Sequence, residues 1–116
     1  MSQLSNKTSR LKFAVLSGDQ EKVRASISEG DDPDTCIPFS HWKSVPVLCV
    51  ASGMGYNEVV LVLLEAGANT EYRGDYIWSA LYEAASLGHS TIVETLLDNG
   101  ADMVSIYKSD VVLLMH

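Results

Sequence analysis

Six of the eight glycines in this 116-residue chain fall on a grid. Gly18, Gly55 and Gly88 are each followed twelve residues later by another, Gly30, Gly67 and Gly100. The step between the first members is 37 residues and then 33. Apolar residues keep the same grid. Leu11, Leu48 and Leu81 stand seven before the first glycine of each pair, and Ala14, Ala51 and Ala84 four before. Val23, Val60 and Val93 stand five after it, and Ile27, Leu64 and Leu97 nine after. A spacing of three or four marks one face of a helix. A glycine at the end tolerates the left-handed conformation that closes many helices. Each unit therefore reads as two short antiparallel helices and a longer connection, with Asn57 and Ser90 as candidate caps of the second helices.

One short helix pair cannot bury its apolar face alone, and stacking identical pairs gives every face a neighbour. The expected fold is all-α: a solenoid of stacked antiparallel helix pairs with projecting loops or hairpins, in one domain. Ala14, Ala51, Ala84 and Ala85 allow close helix approach, and larger Leu and Val fill between layers.

The third unit runs Ser79-Ala80-Leu81-Tyr82-Glu83-Ala84-Ala85-Ser86-Leu87-Gly88-His89 and continues through Ile92-Val93, Leu96-Leu97 and Asn99-Gly100-Ala101-Asp102. It resembles the ankyrin-repeat core, T-P-L-H-x-A-A-x-x-G-H, and the 33-residue step is the ankyrin period. The second unit is looser over Pro46–Tyr56, but its tail, Val59-Val60, Leu63-Leu64 and Glu65-Ala66-Gly67-Ala68-Asn69, keeps the register. Other helical-hairpin repeats, with periods of 34 or 40–47, fit the third unit less well. The resemblance covers about residues 9–116, in units of about 9–41, 42–78 and 79–111, after a polar tail over 1–8 and before a truncated fourth unit over 112–116. Pro46 and Ser79 take the place of the family's Thr, and Cys49 and Tyr82 that of its His, so the usual Thr–His hydrogen bonding is altered.

The two ends differ. Units two and three carry Val59, Leu63, Ile92 and Leu96 where unit one carries Lys22 and Ser26. A polar outer face suits a terminal, capping repeat, so the N-terminal side reads as a true end. After Asp110 the chain runs Val111–His116, with Leu114 on the grid position of Leu48 and Leu81. That reads as the opening of a further first helix, and the expectation is a fragment of a longer array.

The resemblance implies binding to another protein through loop tips and the concave helix face, without catalysis. The matching tip residues are Trp42, Lys43 and Val45, then Asp75, Tyr76 and Trp78. The matching helix positions are Leu16 and Ser17, Gly53 and Met54, then Ser86 and Leu87. Aromatic side chains dominate many interfaces, so Trp42, Tyr76 and Trp78 lead the set; for Trp78 the alternative is packing against its own hairpin. Tyr72 and Tyr107 read as braces for the loops. The first connection is four residues longer than the second and apolar, with Ile37, Phe39, His41 and Trp42. It either docks on a partner or folds over unit one as a lid. The protein is thus read as a scaffold or adaptor; the alternative is a targeting or regulatory repeat segment of a larger enzyme, such as a kinase, or of a ubiquitin-ligase adaptor.

Charge narrows the partner. Fifteen acidic residues face eight basic ones, and residues 44–116 hold only Arg73 and Lys108 against nine acids. This argues against nucleic acid, whose phosphates call for Lys and Arg, and favours a basic protein surface. Glu65, Glu71, Asp75, Glu83, Asp98, Asp102 and Asp110 either steer such a partner or solvate the surface. The longest clean apolar run, Val59–Leu64, is far below the roughly 18 residues of a membrane span. The N-terminal ten residues lack the apolar stretch of a secretory signal. Cys36 and Cys49 are accordingly read as reduced thiols of a cytoplasmic or nuclear chain. No cofactor or metal is expected: Cys36, His41 and Cys49 lack zinc-site spacing, and Cys36 with His41 makes a poor case for a thiol–imidazole pair. His89 falls where the family's loop residue bonds backbone. Ser52-Gly53-Met54-Gly55 lacks the Lys-Ser/Thr of a phosphate-binding loop.

Overall fold

The computed structural model describes residues 3–40 and 43–103. Six helices and one hairpin follow in the order α1 (Gln3–Ser17), α2 (Gln20–Ser28), β1 (Cys36–Ser40), β2 (Lys43–Pro46), α3 (Val47–Met54), α4 (Asn57–Glu65), α5 (Ala80–Ser86) and α6 (Ser90–Asp98). Each first helix packs on its own second helix, α1 on α2, α3 on α4 and α5 on α6. Each also packs on its counterpart one unit along: α1 on α3 on α5, and α2 on α4 on α6. The result is a two-layer stack of three helix pairs, as the period requires. No helix among the described residues is long and apolar enough to cross a membrane.

The glycine grid is a grid of backbone conformation. All six members have positive φ, from +74° at Gly18 to +102° at Gly30. Gly55 ends α3 in the left-handed region, where its N–H bonds the Ala51 carbonyl. The alanine and leucine columns form the core between them: Leu11, Leu48, Leu81, Ala14, Ala51 and Ala84 are all buried. Helix α3 is the middle of the upper layer, and Val47 through Ser52 are all buried. A helix apolar on every side is one covered on every side. In the lower layer Val59, Leu63, Ile92 and Leu96 are buried. At the same positions of unit one Lys22 is exposed, whereas Ser26 is buried although polar, and both border an outer hollow beside Arg10 and Glu29.

The units are tied to one another by a repeated set of polar contacts. The Tyr56 hydroxyl donates to the Leu16 carbonyl at 3.4 Å, and His89 Nε2 bonds the Gly53 carbonyl at 3.0 Å. Asp34 accepts from the Asn69 N–H and Glu71 from the Asp102 N–H, each at 2.9 Å. Each bond spans about one repeat and joins a side chain of one unit to a backbone group of its neighbour; the His89 bond is part-buried and the other three are exposed.

Two expectations are corrected. Helix α1 starts at Gln3, inside the stretch 1–8 read as a tail. Asn57 and Ser90 do not cap: the cap positions are Tyr56 and His89, and neither side chain makes a capping bond to its own helix. The side-chain caps are Asp19, which accepts from the N–H groups of Glu21 and Lys22, and Ser79, which accepts from Tyr82 N–H. The long first connection forms an antiparallel hairpin. Cys36 pairs with Pro46, Ile37 with Val45 and Pro38 with Ser44, and the register slips between Pro38 and Ser40. Ile37 and Val45, opposite one another, are both buried. The readings of Trp42 and His41, of Tyr107 and Asp110, and of the fourth unit over 112–116 lie outside the described residues.

Candidate functional site

The hairpin and the ends of the first helices enclose a groove of about 530 Å³. Its hairpin wall is Phe39, Lys43 and Val45; its floor is Cys49, Val50 and Gly53 of α3; its far wall is Tyr76, Glu83 and Leu87. Leu16 and Met54 close the two sides. Phe39 sits at the register slip, and a bulge of this kind re-aims a side chain away from the regular pleat.

Four of the lining side chains are large, apolar and open to solvent: Phe39 is 61% exposed, Leu87 57%, Met54 48% and Leu16 37%. They come from three units and two kinds of element, yet face one hollow. Scattered apolar residues on a surface carry no message, whereas a contiguous patch beside a groove marks a contact site. The outer hollow of unit one, about 630 Å³, is larger but is lined by Arg10, Lys22 and Glu29 as well as Phe13, which makes it a poorer home for an apolar side chain.

The polar groups of the groove are few. The Tyr76 hydroxyl donates to Glu83 Oε1 at 2.8 Å. Burial, with this bond and the carboxylate charge behind it, pushes the Tyr76 phenol well above its ordinary range. Burial, and then the nearby Glu83 charge, pushes the Cys49 thiol up to about 12. Cys49 points its sulfur at the Trp78 carbonyl, 3.8 Å away. A thiol held protonated is a weak nucleophile and a weak metal ligand. Cys36 is also free; its sulfur lies 3.6 Å from the Tyr72 hydroxyl, so Tyr72 braces the hairpin as expected. His89 is committed to the Gly53 carbonyl, the backbone role its position implied.

The structure divides the residues singled out by sequence. Lys43, Val45, Met54, Tyr76 and Leu87 are brought together in the groove, although Val45 is buried rather than presented at a tip. Trp78 is not in it. Its ring stacks on Tyr82 at 5.5 Å and meets Tyr76 edge-on at 5.7 Å, and its indole N–H is buried without a partner among the described residues. This is the packing alternative. Asp75 accepts from Ser44 Oγ at the neighbouring hairpin, and Ser86 turns back to the Glu83 carbonyl. The acidic set is partly committed too: Glu71 holds the Asp102 N–H, and Glu65 lies 3.6 Å from Arg24. Sequence reasoning left Val50 unmarked and noted Glu83 only as surface charge. A signal was present: Phe13, Val50 and Glu83 each precede the alanine that recurs on the grid by one residue, so they share one column of the stack.

A family model described as ankyrin repeats, in three copies, matches residues 11–106. No curated protein matches the chain.

Proposed function

The chain belongs to the ankyrin-repeat family, and on that premise we propose that it is an adaptor that holds a partner protein in the groove between the hairpin and helices α1, α3 and α5. Ankyrin repeats generally mediate protein–protein interaction and are typically non-catalytic. The observation that carries the proposal is the convergence of Phe39, Met54, Leu87 and Leu16 on one groove. Burying such side chains against a partner contributes about 25 cal/mol per Å² of apolar area, and a few anchors of this kind dominate most interfaces. The acid-rich second half favours a partner with a basic surface and speeds its approach at low salt. Two unpaired thiols support a reducing compartment, cytoplasm or nucleus.

The test is an affinity capture with the wild-type chain beside a Met54→Asp/Leu87→Asp variant and a Phe13→Asp variant of the outer hollow. All three sites are exposed, so thermal unfolding should stay within a few degrees of wild type. The expected result is a partner held by wild type and Phe13→Asp and lost by the groove variant. A partner retained by the groove variant refutes the assignment.

A further inference from the structure

We infer that Glu83 reads a cation: the groove selects a partner segment that places an arginine or lysine between aliphatic side chains and sets it on the Glu83 carboxylate. This rests on the groove being the binding surface, and it names what the groove recognises.

The column to which Glu83 belongs is apolar elsewhere, Phe13 in unit one and Val50 in unit two. In unit three the same position puts a half-buried carboxylate among Val45, Cys49, Met54 and Leu87. One of its oxygens, Oε1, accepts from Tyr76. The other, Oε2, lies over Gly53, only 2.9 Å from where a side chain's Cβ would stand. Gly53 is inside α3 and is not among the positive-φ glycines, so the backbone does not require it. It is the next-to-last residue of α3, in the last turn, where another residue could stand. What that glycine provides is room for the carboxylate to lie across the floor.

Among the described residues the carboxylate forms no ion pair. The ion pairs among the described residues belong to Arg10 and Arg24 in unit one. Lys43 lines the same groove but is exposed on the rim and forms none. Tyr76 supplies one hydrogen bond where a carboxylate accepts several. Apolar walls lower the local dielectric, so attraction to an incoming cation exceeds what a surface acid would offer. A guanidinium or ammonium on an aliphatic stem matches both parts of the site: the stem lies along Met54 and Leu87, and the head meets Oε2. The acidic balance of residues 44–116 favours the same sign of partner. A metal ion is the poorer occupant, because no cluster of three His, Cys, Asp or Glu stands there among the described residues.

The experiment selects phage-displayed random dodecapeptides on the wild-type chain, on Glu83→Gln and on Met54→Asp/Leu87→Asp, each checked by circular dichroism and thermal unfolding. Glu83→Gln is isosteric and keeps an acceptor for Tyr76. Wild type should enrich peptides with Arg or Lys flanked by Leu, Ile, Met or Phe. Glu83→Gln should keep the aliphatic preference and lose the basic one. The best wild-type peptide, synthesised, should bind Glu83→Gln roughly tenfold more weakly, as for one charged hydrogen bond. Replacing its basic residue by norleucine should weaken wild-type binding similarly and leave Glu83→Gln unchanged. An unchanged basic preference on Glu83→Gln, or a preference for acidic peptides, overturns the inference while leaving the groove assignment standing. Peptides that bind Met54→Asp/Leu87→Asp as well as wild type, or no enrichment at all, overturn both.

Discussion

Substituting Gly55 by alanine tests whether the stack is held by contacts that reach from one unit into the next. Gly55 has φ +80°, and the Cβ of an alanine would stand 2.9 Å from His89 Cε1 and 3.2 Å from Nδ1. Two effects add. A residue with a Cβ in the left-handed region loses roughly 1–2 kcal/mol. Displacing the imidazole breaks its bond to the Gly53 carbonyl, a further loss of about 1 kcal/mol. Gly88 supplies the control, because it has φ +79° with nothing within 4 Å of the added Cβ. Gly88→Ala carries the conformational cost alone. Gly55→Ala should therefore lower stability by about 2–3 kcal/mol and Gly88→Ala by about 1–2 kcal/mol.

Thermal and urea unfolding followed by circular dichroism measures both. A difference of 1 kcal/mol moves Tm by roughly 4 °C in a domain of this size, so the two variants are separable. The decisive step is the double variant. In a His89→Ala background the steric partner is gone, and Gly55→Ala should cost no more than Gly88→Ala does in the wild type. Equal losses for the two glycines in the wild-type chain, or an excess at Gly55 that survives removal of His89, would refute the idea that this ring locks unit three onto unit two.

Two further outcomes follow from single side chains. Asp19→Ala removes the acceptor for the Glu21 and Lys22 N–H groups at the start of α2 and should cost about 1 kcal/mol, measured by urea unfolding; Asp19→Asn should recover most of it. The Cys49 thiol, buried and raised from 9.0 to about 12, binds its proton more tightly in the folded chain than in the unfolded one. The folded state therefore holds the extra proton, and stability present below pH 9 should fall as pH rises from about 9 toward 12, with Tyr76 adding in the upper part of that window. Unfolding measured across this range should show a shallower fall in Cys49→Ala, and a thiol reagent at pH 8 should modify Cys36 in the folded chain but Cys49 only in denaturant.

The stack was legible because its determinants are local and repeat. A glycine that ends a helix, and a leucine seven residues earlier, mean the same thing in each unit, and the backbone angles at Gly18, Gly55 and Gly88 agree within a few degrees. The groove was legible only in part. Lys43, Met54, Tyr76 and Leu87 could be placed from their register alone. Phe39 could not, because its direction depends on a strand slip between Pro38 and Ser40 that pairing across the hairpin sets. Trp78 was drawn toward the partner surface by its residue type, but Tyr76 and Tyr82 flank it and keep it half-buried. Glu71 looked like free surface charge until its loop met the Asp102 backbone. In each case the missing information is a contact between segments about one repeat apart or across a turn, which a column of residue types does not contain.

On the proposed reading of the groove, stability and recognition are written in different parts of the same repeat. The buried columns, Leu48 with Leu81 and Ala51 with Ala84, have to match between units, since each layer is packed against the next. The groove needs the units to differ. It has a hairpin wall because the first connection is four residues longer than the second, and those residues let Ile37 and Val45 pair and turn Phe39 outward. It has a charge because one column changes from Val50 to Glu83, and it has room for that charge because Gly53 stands where unit one has Leu16 and unit three Ser86. The departures from regularity converge on one hollow, and the hairpin also adds Ile37 and Val45 to the core. A glycine in the last turn of α3 and a half-buried carboxylate with no ion pair among the described residues lie side by side there. Their placement together at the floor of an exposed apolar groove is the feature on which the proposed recognition of a basic partner segment rests.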